Sequence, residues 1–247
     1  MGKLTSLPTK APKDLDEDKV KKKTLKLSLE ITKLLHNMSV QKKHSIILVL
    51  QGMDASGKDG VVKSVFFEMA NSIYNVVAFK KPTEEEMAHD FLWRIHKNTP
   101  AKGRLVIFNR SHYEDVLIQR VHKWVTEETV ANRMNAINSF EENLLKDNGT
   151  IMVKCYLHIS PEKQLEKLKE RMEDPYKQWK HNPHDFEERK SWDRYMECYE
   201  DAIKKSKIPW HIIPSDNRWY RNYCVAKILY DTLVKLEIPD PVIVKPK

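Results

Sequence analysis

Residues 46–58 read Ile-Ile-Leu-Val-Leu-Gln-Gly-Met-Asp-Ala-Ser-Gly-Lys, and this stretch decides the fold. Its apolar, β-branched first part predicts a buried strand, which Gly52-x-x-x-x-Gly57-Lys58 follows directly. Apolar residues then recur at helical spacing over residues 61–69. A strand, a glycine-containing loop and a helix in this order are typical of the P-loop, whose backbone N–H groups and lysine bind phosphate.

The loop differs from the usual P-loop in carrying two carboxylates. Asp59 stands where a Ser or Thr normally follows the lysine and binds Mg²⁺. Asp54 lies within the loop itself. A carboxylate among phosphate-binding amides is repulsive unless a cation lies between the two anions, so we expect Asp54 to bind Mg²⁺. The alternative is that Asp54 caps the following turn or helix.

The composition fits one α/β domain. The chain has 247 residues, of which 40% are hydrophobic and 32% are charged. We expect no membrane span and no signal peptide, because the chain lacks the apolar runs that either would need. The three cysteines (Cys155, Cys198 and Cys224) predict free thiols and a cytoplasmic location. A net charge of +8 indicates a polyanionic partner, either nucleic acid or a phosphate-rich substrate.

Strands and helices alternate along the chain. Short apolar runs predict five strands, which lie just before the loop and at residues 74–79, 104–109, 151–159 and 210–213. Helical patterns are found at residues 27–38, 61–69, 84–97, 112–123, 127–147, 161–173, 187–205 and 219–236. This alternation predicts a mostly parallel five-stranded sheet with helices on both faces and ligands outside the carboxyl ends of its strands.

Composition also suggests boundaries within the chain. Residues 1–20 carry prolines and few apolar side chains and predict a mobile N-terminal arm, followed by one domain over residues 21–238. Residues 171–190 combine basic side chains with prolines between helices and predict a hinged lid. The alternative for this segment is a solvated pair of charged helices. The proline-rich residues 239–247 predict an extended tail.

A second motif follows the third predicted strand. Residues 105–115 read Leu-Val-Ile-Phe-Asn-Arg-Ser-His-Tyr-Glu-Asp. In P-loop proteins, a strand beside the loop ends in an acid that helps to hold Mg²⁺. Here Asn109 and Arg110 end the strand, and two carboxylates, Glu114 and Asp115, follow one turn later. A serine-capped helix with acids in its first turn is the alternative, but it leaves Arg110 without a role.

The loop at residues 52–60, the motif at residues 108–117 and the tryptophan-containing stretches at 179–180 and 192–195 together resemble the family-2 polyphosphate kinases. The resemblance extends over about residues 20–236. It implies a P-loop kinase-type three-layer α/β sandwich with a helical lid. It also implies Mg²⁺-dependent, reversible transfer of the terminal phosphate of inorganic polyphosphate to ADP, AMP or both. Guanine nucleotides as acceptors and a homo-oligomer are left open.

The resemblance assigns catalytic roles by position. The family's loop aspartate and lysine correspond to Asp54 and Lys58, and its phosphate-binding arginine to Arg110. Asn109 replaces the acid that usually ends the strand, so either Asp54 holds Mg²⁺ largely alone or a later acid substitutes. No general base is needed, because a nucleotide phosphate is already ionised near neutral pH. Asp115 is therefore predicted as a metal ligand or an orienting group.

Further residues are predicted to bind the substrates. The nucleotide- and phosphate-binding set comprises Gly52, Ala55, Gly57, Lys58, Asp59, Gly60, Asn109, Arg110 and Glu114. The polyphosphate and lid set comprises Lys80, Lys81, Arg171, Lys180 and Arg189. The sequence Glu-Asp after the motif tyrosine, where many relatives have Asn-Arg, resembles the subgroup that accepts AMP as well as ADP.

Two other functions compete with this interpretation. An ATP-dependent nucleotide monophosphate kinase would share the fold and the loop. A basic nucleic-acid-binding protein with a vestigial P-loop would bind DNA or RNA in a salt-sensitive way and tolerate Lys58→Ala. The second motif favours the polyphosphate reaction, so no nucleic-acid partner is expected. The lack of long apolar runs predicts no membrane partner.

Overall fold

The computed structural model describes residues 3–67, 69 and 73–240 of the chain. Its strands form one parallel sheet in the order β2-β3-β1-β4-β5. They are β1 (Ser45–Gln51), β2 (Tyr74–Ala78), β3 (Leu105–Asn109), β4 (Thr150–His158) and β5 (Trp210–Pro214). The predicted five-stranded sheet is confirmed, and the strand that precedes the P-loop lies at its centre.

Helices cover both faces of this sheet. In the described ranges the α-helices are α1 (Glu17–Gln41), α2 (Lys58–Val65), α3 (Glu84–Met87), α4 (Trp93–His96), α5 (Ile118–Val121), α6 (Glu127–Lys146), α7 (Pro161–Glu173), α8 (His184–Arg189), α9 (Trp192–Lys205) and α10 (Arg218–Val234). Ile46, Leu48 and Leu50 of β1 pack with α1, α2 and α10. Ile47 and Val49 face the opposite way and pack with α4 and α6. The chain is thus a three-layer α/β sandwich, as predicted.

The register of β1 and β3 brings the two predicted motifs together. Leu50 of β1 is level with Asn109 of β3. Arg110, the next residue, donates its backbone N–H to the carbonyl of Leu50 at 3.0 Å. Both strands therefore end at the same edge of the sheet, directly beside the P-loop.

Two predicted helices are each divided into two α-helices. Within residues 84–97 the chain turns at Asp90, whose side chain accepts the N–H of Leu92 at 2.9 Å, so α3 and α4 are separate. Within residues 187–205, α8 ends before residues 190–191 and α9 begins after them. The apolar spacing continues across both breaks, which is why periodicity alone predicted single helices.

The described part of the predicted N-terminal arm, residues 3–20, packs against the domain. Leu4 is 2% exposed, and its N–H donates to Glu200 at 2.9 Å. Thr9 bonds to the carboxylate of Asp216 at 2.9 Å. Helix α1 already begins at Glu17. One buried leucine and several backbone bonds hold a segment that composition alone would leave loose.

The remaining boundary and composition predictions concern the tail, the cysteines and the membrane. Of the predicted tail over residues 239–247, the part from residue 241 onward lies outside the described residues. Asp240 accepts a bond from Asn37 of α1 at 2.9 Å. All three cysteines are free thiols, as predicted. Among the described helices, none combines the length and the apolar character that crossing a bilayer requires.

Candidate active site

The P-loop is a tight turn between β1 and α2. Gly52, Ala55 and Gly57 have positive φ angles of 149°, 61° and 99°. A Cβ atom at Gly52 would lie 2.7 Å from the carbonyl oxygen of Leu157 in β4, so this position has no room for a side chain. The loop therefore lies close against the central strands and turns directly into the first helical residue.

Lys58 is that first residue of α2, and it is 8% exposed. Its Nζ donates to the carbonyl oxygens of Gly52 at 2.8 Å and Met53 at 3.3 Å. Burial, and then the charge of Arg110, lower the pKa of Lys58 to about 8, although Asp54 partly opposes this. The ammonium is therefore charged at neutral pH, with a pKa far closer to that pH than usual.

Asp54 and Arg110 form an ion pair between the P-loop and the second motif. The Nη2 of Arg110 lies 2.5 Å from Oδ1 of Asp54, and its Nη1 lies 3.3 Å from Glu114. Burial acts to raise the pKa of Asp54, but the charges of Arg110 and Lys58 outweigh it and keep the carboxyl ionised. Asp54 does not cap α2, because the N-cap residue of this helix is Gly57.

The second motif places Arg110 through a strained backbone. Arg110 has a φ of 65°, an unfavourable value for a residue with a side chain. Ser111 then accepts the N–H of Tyr113 at 3.2 Å and begins the 3₁₀ helix His112–Val116. The predicted helix over residues 112–123 is thus this 3₁₀ helix followed by α5. Serine capping does occur, but it accompanies the Arg110 ion pair and does not replace it.

Asp59 joins three parts of the site. Its carboxylate accepts a bond from Asn109 at the end of β3 at 2.7 Å. It also forms an ion pair with Lys180 of the segment 171–190 at 2.8 Å. Burial acts to raise the pKa of Asp59, but the bond and the charge of Lys180 lower it overall. The structure therefore brings Asn109, Asp59 and Lys180 together.

Asp115 has partners of its own. It is 3% exposed; Arg94 lies 3.3 Å from Oδ2, and Gln119 donates to Oδ1 at 2.6 Å. Burial raises the pKa of Asp115 above its usual value, against the opposing charges of Arg94 and Arg133. Both carboxylate oxygens are thus engaged by nearby donors.

Two cavities meet at the Asp54–Arg110 pair. The phosphate-loop cavity, of about 320 Å³, is lined by Ala55, Gly57, Lys58, Asp59, Arg171 and Lys180, among others. The larger of these two, which we call the large cavity, has a volume of about 460 Å³ and is lined by Arg94, Glu114, Asp115, Glu188, Tyr195 and Tyr199, among others. The lining shared by both comprises Asp54, Phe79, Lys80 and Arg110. The first cavity is rich in cations and loop backbone, whereas Tyr195 and Tyr199 line only the second.

The predicted polyphosphate and lid residues do not all reach these cavities. Lys80 lines both, and Lys81 lines the large cavity. Arg171 lines the phosphate-loop cavity and also pairs with Asp185 at 2.9 Å. Arg189 instead donates to the carbonyl of Pro161 at 2.7 Å and to Gln164 at 2.9 Å. Its guanidinium therefore joins α8 to α7.

A protein-family model matches the part of the chain that contains both motifs and the segment 171–190. The polyphosphate kinase 2 (PPK2) family model matches residues 14–241, which include both motifs and the segment 171–190. The chain belongs to the polyphosphate kinase 2 family. The resemblance found in the motifs is thereby confirmed, and so is the prediction of a phosphotransferase.

Individual relatives of this polyphosphate kinase 2 chain agree along most of their length. It is 44% identical over 220 residues to an AMP/ADP-polyphosphate phosphotransferase of Meiothermus ruber, covering 87% of this chain and 82% of that one. It is 36% identical over 214 residues to an ADP-polyphosphate phosphotransferase of Rhodopseudomonas palustris, covering 81% and 74%. The crystal structure of polyphosphate kinase 2 from Arthrobacter aurescens superposes with a TM-score of 0.94 at 36% identity, covering 99% and 89%.

Two residues at this polyphosphate kinase 2 site, Arg94 and Gln51, were not predicted from the sequence. Arg94 is buried and reaches Asp115 from α4. Gln51, the last residue of β1, donates to Glu114 and accepts from Ser111 at 3.2 Å. A polar side chain at the end of an apolar strand was an available signal for Gln51. Arg94 lies within an apolar periodicity, and nothing local marked it.

Proposed function

We propose that this chain transfers the terminal phosphate of inorganic polyphosphate to ADP and AMP, and that Mg²⁺ assists the transfer. The observation that carries the proposal is the junction of two cavities at Asp54 and Arg110. A reaction between two phosphate chains needs two binding sites that share one wall. Membership of the polyphosphate kinase 2 family supports polyphosphate as the donor.

The phosphate-loop cavity suits the end of a polyphosphate chain. Its wall combines the backbone of the P-loop with the charges of Lys58, Arg171 and Lys180. Backbone amides at a helix N-terminus and fixed cations favour phosphate without reading any base. The large cavity suits a nucleotide, because the rings of Tyr195 and Tyr199 form part of its wall beside polar groups.

Arg110 and Lys58 act at the wall that the two substrates share. Phosphoryl transfer requires mainly positioning and charge neutralisation, and the strongest obstacle here is the repulsion between two polyanions. Lys58 stands at the loop and Arg110 at the junction, so each places positive charge beside the group in transfer. The segment 171–190, held to Asp59 through Lys180, would exclude water when closed.

Asp54 is the carboxylate that best fits Mg²⁺. Magnesium in phosphoryl-transfer sites is bound by one or two carboxylates together with substrate phosphates, and when bound it neutralises charge between the two chains. Asp54 is ionised, partly exposed and adjacent to both cavities. Among the described residues no group of three or more metal-ligating side chains occurs, which agrees with a site completed by substrate.

Asp115 is better suited to orienting the large cavity than to binding metal. Arg94 and Gln119 already engage its two oxygens, and coordination would break those bonds. Glu114 accepts from Gln51 and pairs with Arg110 at 3.3 Å, so it fixes the arginine from the other side. We assign both acids to positioning of Arg110 and of the nucleotide.

The test supplies polyphosphate as the sole phosphate donor. Purified protein is incubated with Mg²⁺ and with AMP, ADP, GMP or GDP, and the products are separated by anion-exchange chromatography. We expect ADP and ATP from AMP, and ATP from ADP; the guanine nucleotides show whether the base is discriminated. Formation of ADP from AMP only when ATP replaces polyphosphate would favour the monophosphate-kinase alternative instead.

Two further proposals concern the state of the protein in the cell. The free thiols agree with a cytoplasmic location, and fractionation of the native host tests it. The relatives' names leave assembly open, so a homo-oligomer is tested by light scattering. Neither outcome changes the assignment of the two cavities.

A further inference from the structure

Arg221 of α10 lies buried directly behind the P-loop. It is 2% exposed, and its Nη1 donates to the carbonyl oxygen of Ser56 at 3.2 Å. Its other nitrogens donate to the side chain of Asn222 at 2.9 and 3.1 Å. Among the described residues no carboxylate pairs with it, whereas Arg218, one turn earlier, pairs with Glu170 at 3.1 Å.

The guanidinium of Arg221 fills the space beside two loop glycines. A Cβ atom at Gly57 would lie 1.8 Å from Nη1, and one at Gly60 would lie 2.8 Å from Nη2. Gly57 has a φ of 99°, so its backbone alone favours glycine. Gly60 lies within α2 without a positive φ, so a methyl group there would disturb mainly its contact with the end of the Arg221 side chain.

Arg221 is one of three side chains that donate to backbone carbonyls of the loop. Gln164 donates to Asp54 at 3.1 Å and Lys167 to Ala55 at 3.3 Å, both from α7. Because a peptide unit is planar and trans, a fixed carbonyl oxygen points the next N–H the opposite way. The bond from Arg221 to Ser56 therefore orients the N–H of Gly57, a residue of the phosphate-loop cavity.

The positive charges of Arg221 and Lys167 beside the P-loop repel each other, and an anion bound at the loop would reduce this repulsion. Burial, and then the charge of Arg218, lower the pKa of Arg221 to about 10. Burial, and then the charge of Arg221, lower the pKa of Lys167 to about 7. Arg221 and the protonated form of Lys167 repel each other and the positive end of the α2 dipole. A bound phosphate chain would offset this repulsion.

We propose that Arg221 is a positioning residue for polyphosphate binding, which holds the Ser56–Gly57 peptide so that its N–H faces the phosphate-loop cavity. The inference rests on the proposed function for its substrate. Loss of Arg221 should weaken the use of polyphosphate and leave the nucleotide site, formed by other residues, intact.

The first test compares Arg221→Met and Arg221→Lys with the matched control Arg218→Met on the same helix. We expect Arg221→Met to raise KM for polyphosphate about tenfold or more, with KM for the nucleotide changed by less than about twofold. Arg221→Lys should recover part of this loss, because it retains the charge and one bond to Ser56. Arg218→Met should behave as the unmodified protein. A lower melting temperature with both KM values unchanged would show a purely structural role and overturn the proposal.

The second test uses Gly60→Ala alone and combined with Arg221→Met. In the unmodified background the new methyl group displaces the guanidinium, so kcat/KM for polyphosphate should fall about tenfold. In the Arg221→Met background the same change should cost less than about threefold. Equal losses in the two backgrounds would mean that Gly60→Ala does not act through Arg221, and would refute the proposal.

A third measurement does not depend on turnover. Hydrogen exchange of the amides over residues 52–60 should be faster in Arg221→Met than in Arg218→Met, without any substrate present. If the unmodified protein does not use polyphosphate, the proposed function is wrong. The hydrogen-exchange comparison still tests whether Arg221 holds the loop. Unchanged exchange in Arg221→Met would count against the positioning role whatever the substrate.

Discussion

The guanidinium of Arg110 lies 2.5 Å from the carboxylate of Asp54, so an ion pair connects the ends of two adjacent strands. The pair forms part of the wall shared by the two cavities, where a phosphoryl group would pass from one substrate to the other. It also keeps Asp54 ionised. A cation that binds Asp54 would compete with Arg110, which could then turn to a phosphate oxygen while still bonded to Glu114.

Asp54→Asn should abolish most activity and weaken the response to Mg²⁺. The change removes the charge that we assign to metal binding but keeps the size of the side chain. We expect kcat/KM to fall about a hundredfold or more, and the half-saturating Mg²⁺ concentration to rise. Steady-state kinetics over a Mg²⁺ titration measures both quantities.

Asp115→Asn is the matched control for that experiment. An orienting role for Asp115 predicts lower activity with an unchanged Mg²⁺ requirement, because Arg94 and Gln119 rather than metal engage its oxygens. If Asp115→Asn shifted the Mg²⁺ requirement and Asp54→Asn did not, the two roles would have to be exchanged.

The pH dependence of kcat/KM for polyphosphate should show the ionisation of Lys58. Its pKa is lowered to about 8, and only the protonated ammonium attracts phosphate. If Lys58 alone titrates, kcat/KM for polyphosphate should be constant below about pH 8 and fall about tenfold per pH unit above it. Lys58→Arg, which stays charged, should lack this alkaline limb at whatever activity it retains.

Lys167→Met provides the control for that pH profile. Lys167 has a pKa lowered to about 7 and lies behind the loop rather than in the cavity lining. We expect the limb near pH 8 to persist in this variant. If the limb disappeared with Lys167 and remained with Lys58→Arg, the titrating group would be Lys167.

The sequence predicted the part of the site that strand order determines. The sequence placed both Asp54 and Arg110 just after the carboxyl ends of parallel strands, and the structure shows that these two strands are neighbours. The pairing of Asp115 with Arg94 spans 21 residues and depends on how α4 turns after Asp90. The partner of Arg189 could not be predicted from the sequence either. It binds a backbone carbonyl of α7 rather than a phosphate because α8 packs on α7.

The segment 171–190 should influence polyphosphate through Lys180. Lys180 lines the phosphate-loop cavity and pairs with Asp59 at 2.8 Å, so Lys180→Met removes a cation from the path of the substrate. We expect KM for polyphosphate to rise several-fold to about tenfold, and this rise to shrink at high salt. Lys177→Met is the control, because Lys177 pairs with Glu170 and Asp174 within 2.6 Å and is not part of the cavity lining.

Lys154 of β4 should contribute strongly to stability. Its Nζ lies 2.6 Å from Glu141 and 2.6 Å from the hydroxyl of Tyr113, and the lysine is fully buried. Glu141 also bonds to His112 at 3.1 Å. Lys154 and Glu141 therefore hold two residues of the second motif, His112 and Tyr113, in place. Lys154→Met leaves a buried carboxylate without its cation, and we expect the free energy of unfolding to fall by about 3–5 kcal/mol.

Denaturant titration measures this loss, and the double variant Lys154→Met with Glu141→Leu separates its causes. Removing both charges eliminates the unpaired carboxylate, so the double variant should recover a large part of the lost stability. Its second motif would still lack the bonds to His112 and Tyr113, so activity should stay low while stability returns. A double variant less stable than Lys154→Met alone would show that Glu141 stabilises the fold mainly through those two side chains.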